Sequence, residues 1–594
     1  MKLIPKSKVG KGVATLLVLV LVGGLYGAHY LRDLILTGGL NKSDRPERDG
    51  VAAVAPSTMV VGTTGGQAQV IGADILKKGG NAIDAALATA MGQITLAAGS
   101  WVSFAGINTI VYYEAKTGKV YNLNTAFSTV KGESDYEGVP GFDMTALAMR
   151  DPDKDGHYNG RTVLVPGFMR GVEAAHQRFG KLPMAEVFQP VIDLAEEGFE
   201  VNEGLDGILA YRKKILSKFP ETKKHFVKED GEFYKKGDTF KQPALADTLR
   251  NVVKHGADYM YTGPWGQKMV AAVQATGGRI TLDDMASYKA EWVEPLKTTH
   301  NGYEVYSHGL PAYGGVNLLE ALNLIEAANL KNKPHYSESP ESFFWLSHIL
   351  RAWTASRKLG FSSEGNADTS ADFSLARIEK SHAKQLWQHI QDNRGYEPMQ
   401  VSLAPRHSDG VVVIDAEGNM AAMLHTINTV SFGEGGLVID GVSIPDALTN
   451  QLDVARATEP GTRLPDPGAP TIVLKDGKPF AAFSTIGAGL HPRLASVMMN
   501  VLDFGMTPGE ALNQPALGFT MNFDGVLGKL WGSYQTVTAG KFSPEFEQAV
   551  SAMGLDIVYN RSYSGYVVGA MIDPETGERH GGTIEQYGGR PVGY

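Results

Sequence analysis

The chain of 594 residues contains no cysteine. Disulfides, thiolate zinc sites, iron–sulfur clusters and a cysteine nucleophile are therefore excluded. Basic residues are in deficit: 55 Lys and Arg against 64 Asp and Glu give a net charge of −9. A general nucleic-acid binder shows the opposite balance. Several catalytic signatures are missing too. There is no Gly-x-Ser-x-Gly elbow, no His-Glu-x-x-His and no phosphate-binding Gly-Lys followed by Ser or Thr. The 15 histidines are scattered, and the carboxylates are too numerous to single out a glycosidase pair. What remains is an ordinary globular composition, 43% hydrophobic and 20% charged, which rules out a disordered chain. Glycine is the one excess, 70 residues against a usual ~7% of a chain. Many backbone positions therefore call for tight turns or close approach.

Only one long apolar run occurs, over residues 12–31, without Lys, Arg, Asp or Glu. Lys2, Lys6, Lys8 and Lys11 precede it. A basic stretch followed by an apolar run is an export signal or a membrane anchor. The run approaches the roughly 17–25 residues of a spanning helix, and it ends without a good small-x-small cleavage site. The reading is an uncleaved single-pass signal anchor over residues 1–33, with a cleaved secretory signal as the alternative. The lysines stay cytoplasmic, so the remainder faces the periplasm or exterior. Residues 34–55 mix charge, Gly and Pro and read as a tether.

Beyond the tether no internal repeat is found. Residues 73–94 read as a helix, the turn Gly79-Gly80 and an Ala-rich helix capped at Asn81. Residues 109–114 and 120–123 read as strands around a Lys-Thr-Gly turn. Residues 166–200 carry a helical pattern, 242–290 two or three helices, and 315–330 and 341–360 apolar residues at helical spacing. The middle of the chain is thus read as mostly helical. After Arg406 the pattern changes to strands, at 410–415 and 420–426 around the turn Ala416-Glu417-Gly418-Asn419. Another pair follows at 471–475 and 480–484, then a helix at 494–504. Strands with flanking helices indicate a layered α/β or α+β enzyme.

The stretch Pro405-Arg406-His407-Ser408-Asp409-Gly410, continuing to His425-Thr426-Ile427-Asn428, resembles the autoprocessing site of the γ-glutamyltransferase (glutathione hydrolase) family. Asp415, Gly418-Asn419, Thr426 and Asn428 align with the family pattern and place Ser408 at the nucleophile, where the family has Thr. The resemblance continues in order through residues 79–86, Val165-Pro166-Gly167, residues 179–183, 195–199 and 277–288, Gly314-Gly315, residues 470–473 and the terminal Gly-Tyr. It implies an N-terminal-nucleophile hydrolase of α+β class. The expected architecture is a four-layer α/β/β/α sandwich over residues 56–594, divided into a large-subunit part, 56–407, and a small-subunit part, 408–594.

The resemblance further implies self-cleavage between His407 and Ser408, with the two fragments staying associated. A hydroxyl is a weak nucleophile that needs a nearby base. The freed α-amine of Ser408, with an ordinary pKa of about 7.7–8.0, supplies one without a His–Asp partner or any cofactor or metal. Thr426 becomes the hydrogen-bond partner of the nucleophile and Asn428 a substrate ligand. Gly487 and Ala488 become the oxyanion donors, in the Gly-Gly position after a strand. The bland alternatives are a loop hydroxyl at Ser408, strand-end hydrogen bonds at Thr426 and Asn428, and a tight turn at Gly487.

The departures from the family concern substrate recognition. Its carboxylate-binding Arg falls in a segment that here reads Asn122-Leu123-Asn124-Thr125-Ala126-Phe127, with Ala126 nearest the place. Its Ser-Ser pair falls at Pro465-Asp466-Pro467, where Asp466 repels a carboxylate. Its amine-binding Asp falls near Asn450 and its Gln near Ala447. Loss of a bidentate Arg removes much of carboxylate recognition. The expectation is an amidohydrolase or acyltransferase acting on a small amide or peptide other than a strict γ-glutamyl compound. A non-catalytic scaffold and a conventional glutathione hydrolase are the alternatives.

Overall fold

The computed structural model describes residues 50–139, 159–360, 371–394, 408–487, 490–519, 534–537, 542–559, 565–584 and 588–594. The apolar run at 12–31 lies outside them, as do His407 and Ala488. Among the described residues no helix is long and apolar enough to cross a membrane.

Two seven-stranded antiparallel sheets dominate. The first contains β2 (Met59–Gly62), β3 (Ile107–Glu114), β4 (Lys119–Asn124), β5 (Glu291–Val293), β8 (Ser408–Ile414), β9 (Met420–Thr426) and β14 (Pro591–Val592), in the order β14-β2-β8-β9-β3-β4-β5. The second contains β1 (Gly50–Ala55), β6 (Leu296–His300), β7 (Tyr303–Ser307), β10 (Thr471–Lys475), β11 (Lys478–Ile486), β12 (Tyr566–Ile572) and β13 (Arg579–Ile584), in the order β1-β13-β12-β11-β10-β7-β6.

Side-chain alternation along β8 and β9 decides the layering. Val412, Ile414, Met420 and Ala422 pack against Ile472, Leu474, Ala482 and Val568 of the second sheet. Val411, Val413, Ala421 and Met423 pack instead on helices α1 (Gly66–Lys77), α2 (Ala82–Leu96), α3 (Phe168–Phe179) and α4 (Met184–Glu197). The outer face of the second sheet, with Val473, Ala481 and Phe483, is covered by α5 (Gly314–Ala327), α6 (Pro340–Gly360) and α7 (Leu490–Phe504). The order is helices, sheet, sheet, helices.

The early Gly-Gly-Asn-Ala motif is a joint between layers. Asn81 caps α2 in a capping box with Asp84, and the carboxylate of Asp415, just past β8, accepts the Ala82 N–H at 3.0 Å. Small side chains such as Ala85, Ala86, Ala88 and Ala90 are fully buried, so α2 lies close to the sheet.

Three readings need correction. Residues 50–55, assigned to the tether, form β1 and pair with β13 from Gly50↔Ile584 to Ala55↔Arg579. The partner strand lies more than 500 residues away, so local composition could not reveal the pairing. The middle of the chain is also less helical than its pattern suggested, because β6 and β7 form a hairpin. Its signal was present: Asn301-Gly302, both at positive φ (48° and 94°), is a strong hairpin turn. The segment 242–290 holds four helices, the third beginning at Pro264 and the fourth capped by Thr281.

Candidate active site

Ser408 is the first residue of β8, an interior strand between β2 and β9. The turn at 415–419 sets the β8–β9 register, with the Asp415 N–H donating to Asn419 O and Gly418 at φ 83°. Counting back from it places Ser408 opposite Thr426. A one-residue slip would turn the two hydroxyls to opposite faces. In the observed register Ser408 Oγ donates to Thr426 Oγ1 at 2.8 Å, and both residues are buried.

Asn428 joins the pair through a backbone turn beyond the strand end. β9 ends at Thr426, and Asn428 sits at φ 50°. Its backbone N–H turns back to donate to Thr426 Oγ1 at 3.0 Å. Its side-chain Nδ2 donates to Asp466 Oδ2 at 3.1 Å. Asn450 follows, with Nδ2 donating to the Asn428 carbonyl at 3.0 Å. Ser408, Thr426, Asn428, Asn450 and Asp466, picked from separate stretches, thus form one hydrogen-bonded chain.

Asp466 holds a tight turn. Its Oδ1 accepts the Gly468 N–H at 2.7 Å, and its carbonyl accepts the Tyr313 N–H at 3.1 Å. The turn lies against the start of α5. A Cβ on Gly314 would come within 2.1 Å of Pro467 O, and one on Gly315 within 2.1 Å of His308 O. Close backbone approach is the reason for that glycine pair. His308, absent from the sequence reading, faces this turn: Nδ1 meets Gly468 O at 3.3 Å. Burial pushes its pKa down to about 4, against the opposing pull of Asp466 and the Gly468 carbonyl. The β6–β7 hairpin, which ends one residue earlier, was the available signal.

Strand β11 crosses behind β8: a Cβ on Gly410 would lie 3.1 Å from Ser484 Oγ. Gly487 follows the end of β11 in the left-handed region, φ 87°. Ser484 Oγ and Thr485 Oγ1 are buried without a hydrogen-bond partner among the described residues.

Asp409 faces the other way, toward the helices. It accepts hydrogen bonds from Thr63 Oγ1 (2.9 Å), Thr64 Oγ1 (2.6 Å) and Trp101 Nε1 (3.1 Å). All three donors are neutral, and burial pushes the carboxyl up to about 7 despite them. Its cross-strand neighbour His425 bonds Gln93 Oε1 at 2.9 Å, and burial drives its pKa down to about 3. Thr64 and Trp101 also border a cavity of about 530 Å³ that reaches Gly66, Asn202 and Arg590. That cavity adjoins the Asp409 cluster, whereas the Ser408 hydroxyl faces the space between the sheets.

Where the family's carboxylate-binding arginine was sought, Ala126 uses its backbone only. Its carbonyl accepts from Arg463 Nη1 at 2.7 Å and from the Tyr288 hydroxyl at 2.8 Å. Arg463 is itself committed, to Lys289 O, to Glu291 at 3.3 Å and to the face of Tyr288.

Two antiparallel sheets between helical layers, with a hydroxyl residue opening an interior strand, define an N-terminal-nucleophile hydrolase fold. A cephalosporin acylase from Bacillus halodurans shares it, with a TM-score of 0.74 at 23% identity over 93% of this chain and 98% of that one. The Gamma-glutamyltranspeptidase family model matches residues 68–585, and the chain belongs to that family of hydrolases and transferases. It is 27% identical to the glutathione hydrolase proenzyme of Escherichia coli K12, over 90% of this chain and 91% of that protein. It is 26% identical to the acylase ACY 1 proenzyme of Pseudomonas sp. SE83, over 88% and 91%.

Proposed function

We propose that this protein is a self-cleaving amidohydrolase or acyltransferase that works through an acyl-enzyme on Ser408. The carrying observation is the 2.8 Å bond from Ser408 Oγ to Thr426 Oγ1 at the start of a buried interior strand. In maturation Ser408 Oγ attacks the His407 carbonyl. The C–N bond breaks, the Ser408 nitrogen takes up the proton, and water opens the resulting ester. The released α-amine then serves as base when the same hydroxyl attacks a substrate amide. Acylation expels the amine half of the substrate. Water or a second amine then takes the acyl group. Gly487 and Ala488 supply oxyanion N–H groups, and Asn428, Asn450 and Asp466 contact the acyl portion.

The relatives' names include both a glutathione hydrolase and an acylase. A γ-glutamyl group carries a carboxylate, and the committed Arg463 and the acidic Asp466 disfavour it. Anchoring by residues 1–33, with the catalytic domain on the outer side of the membrane, rests on the basic flank and apolar run alone.

The test is intact-mass analysis after brief reaction with p-nitroanilides of several acyl groups, followed by acid quench. The expected product is the fragment 408–594 carrying one acyl group, mapped to Ser408. An acyl group found elsewhere, or a chain that remains uncut, would contradict the proposal.

Thr426→Val keeps the shape but removes the acceptor of the Ser408 hydroxyl. Losing one hydrogen bond to a group that develops charge costs about 1.5–3 kcal/mol. Self-cleavage followed on a denaturing gel, and kcat with a chromogenic amide, should each fall about 10- to 100-fold. Thr426→Ser should recover most of both rates.

A further inference from the structure

The geometry points to an acyl-side subsite that takes an ammonium or other N–H-bearing group and turns away a carboxylate, with His308 as a specificity-determining residue. This rests on the proposed acyl-enzyme at Ser408 for its place in the reaction, though not for its binding chemistry.

Asp466 only accepts, so the Asn428 amide must point its NH2 at Asp466 and leave Oδ1 facing away. The Asn450 NH2 is turned to the Asn428 carbonyl, and its Oδ1 is buried without a partner among the described residues. A backbone carbonyl also only accepts, so the His308–Gly468 contact puts the ring hydrogen on Nδ1. His308 Nε2 is then a bare lone pair, buried and unpartnered among the described residues. Burial keeps the ring neutral at ordinary pH, so Nε2 stays an acceptor.

Four side chains linked to the nucleophile through Thr426 thus present acceptors: Asn428, Asn450, His308 and Asp466. Buried acceptors left unsatisfied are costly, and a ligand that donates to them recovers that cost. A carboxylate brings only acceptors and meets repulsion from Asp466. Two donors lie on the same face of the sheet. Thr109 Oγ1, one strand from β9, and Asn124 Nδ2, two strands away, are buried and unpartnered among the described residues, and a carboxylate that reached them would reverse the preference.

Three small amides of one chain length separate these possibilities. 4-Aminobutyramide carries the ammonium, glutaramate the carboxylate and butyramide neither. Binding to the purified full chain is measured by calorimetry, and ammonia release is assayed separately on the same compounds. 4-Aminobutyramide should bind at least tenfold tighter than either of the others. That advantage should shrink at least fivefold in His308→Leu and in Asp466→Asn. Should either variant fail to fold, the order of the three ligands on the wild-type chain still decides. Equal binding of all three, tightest binding of glutaramate, or binding of none would overturn the subsite. Selective binding of 4-aminobutyramide without ammonia release from any compound would support the subsite and count against the amidohydrolase reading.

Discussion

Ser408→Ala is expected to leave the chain as one uncut polypeptide, where the wild type should separate on a denaturing gel into fragments ending at residue 407 and beginning at residue 408. Amide turnover should fall at least about 10³-fold, the scale seen when a nucleophile is removed from a hydrolase. Both losses have one cause. In the proposed mechanism the hydroxyl that attacks the His407 carbonyl is also the one that attacks substrate, and cleavage releases the α-amine that serves as base. An uncut chain therefore lacks nucleophile and base together. The substitution removes one oxygen whose hydrogen goes to Thr426, so the fold should persist. An unchanged far-ultraviolet spectrum with a melting temperature within a few degrees of wild type would confirm that chemistry was lost and not structure. A cut Ser408→Ala chain would place the nucleophile elsewhere.

Asp409 should make the protein less stable as pH rises from about 4 to about 7. Its carboxyl is buried among Thr63, Thr64 and Trp101 with no cation in contact among the described residues, and its pKa is pushed from 3.8 up to about 7. In the unfolded chain the group ionises near 3.9. Between the two values the folded state holds the proton and the unfolded state has lost it. The folded state binds more protons there, so stability declines with increasing pH. A shift of that size corresponds to roughly 4 kcal/mol at most, at ~1.4 kcal/mol per pKa unit, reached once pH passes about 7. Asp409→Asn cannot ionise. Its denaturation free energy, measured by urea titration from pH 4 to 8, should lack this decline. Subtracting the two profiles isolates Asp409 from other buried acids such as Asp446, also raised by burial, to about 6. Parallel profiles would mean that the three neutral donors hold the carboxylate ionised throughout. Asp409 lies next to Ser408 on the same strand, so the cleavage rate should be followed over the same pH range.

Much of the site was legible because its signals are local. The β8–β9 hairpin is a run of apolar residues, a turn at 416–419 and a second run, and turn position fixes register. Ser408 and Thr426 are therefore paired by counting along 19 consecutive residues. Asn428 was reached through the family pattern, and the structure shows how it meets Thr426: as a left-handed residue whose backbone N–H bonds back to it. Gly79-Gly80-Asn81 and Gly314-Gly315 were visible as motifs, but their purposes were not. One opens a helix capped by Asn81 and tied to the end of β8 through Asp415. The other lets a backbone turn approach within a Cβ's reach. Strand β1 stayed hidden in an apparent tether, because an edge strand of Val and Ala has no periodicity of its own until a partner defines its face.

The sequence by itself determined most of the elements, the turn that sets the hairpin register and the exclusion of thiol chemistry. These follow from periodicity, turn residues and composition, all of which act within a few residues; Ser408 was singled out by the family resemblance. Only the tertiary structure decided which way the polar side chains point. Asp409 and Thr64 are 345 positions apart and share a hydrogen bond. His308 meets Gly468 across 160 positions, and Arg463 is drawn away by carbonyls at Ala126 and Lys289. Whether an amide offers its NH2 or its oxygen to a ligand depends on which group its neighbours have already taken, and those neighbours are assembled only when the two sheets close on one another.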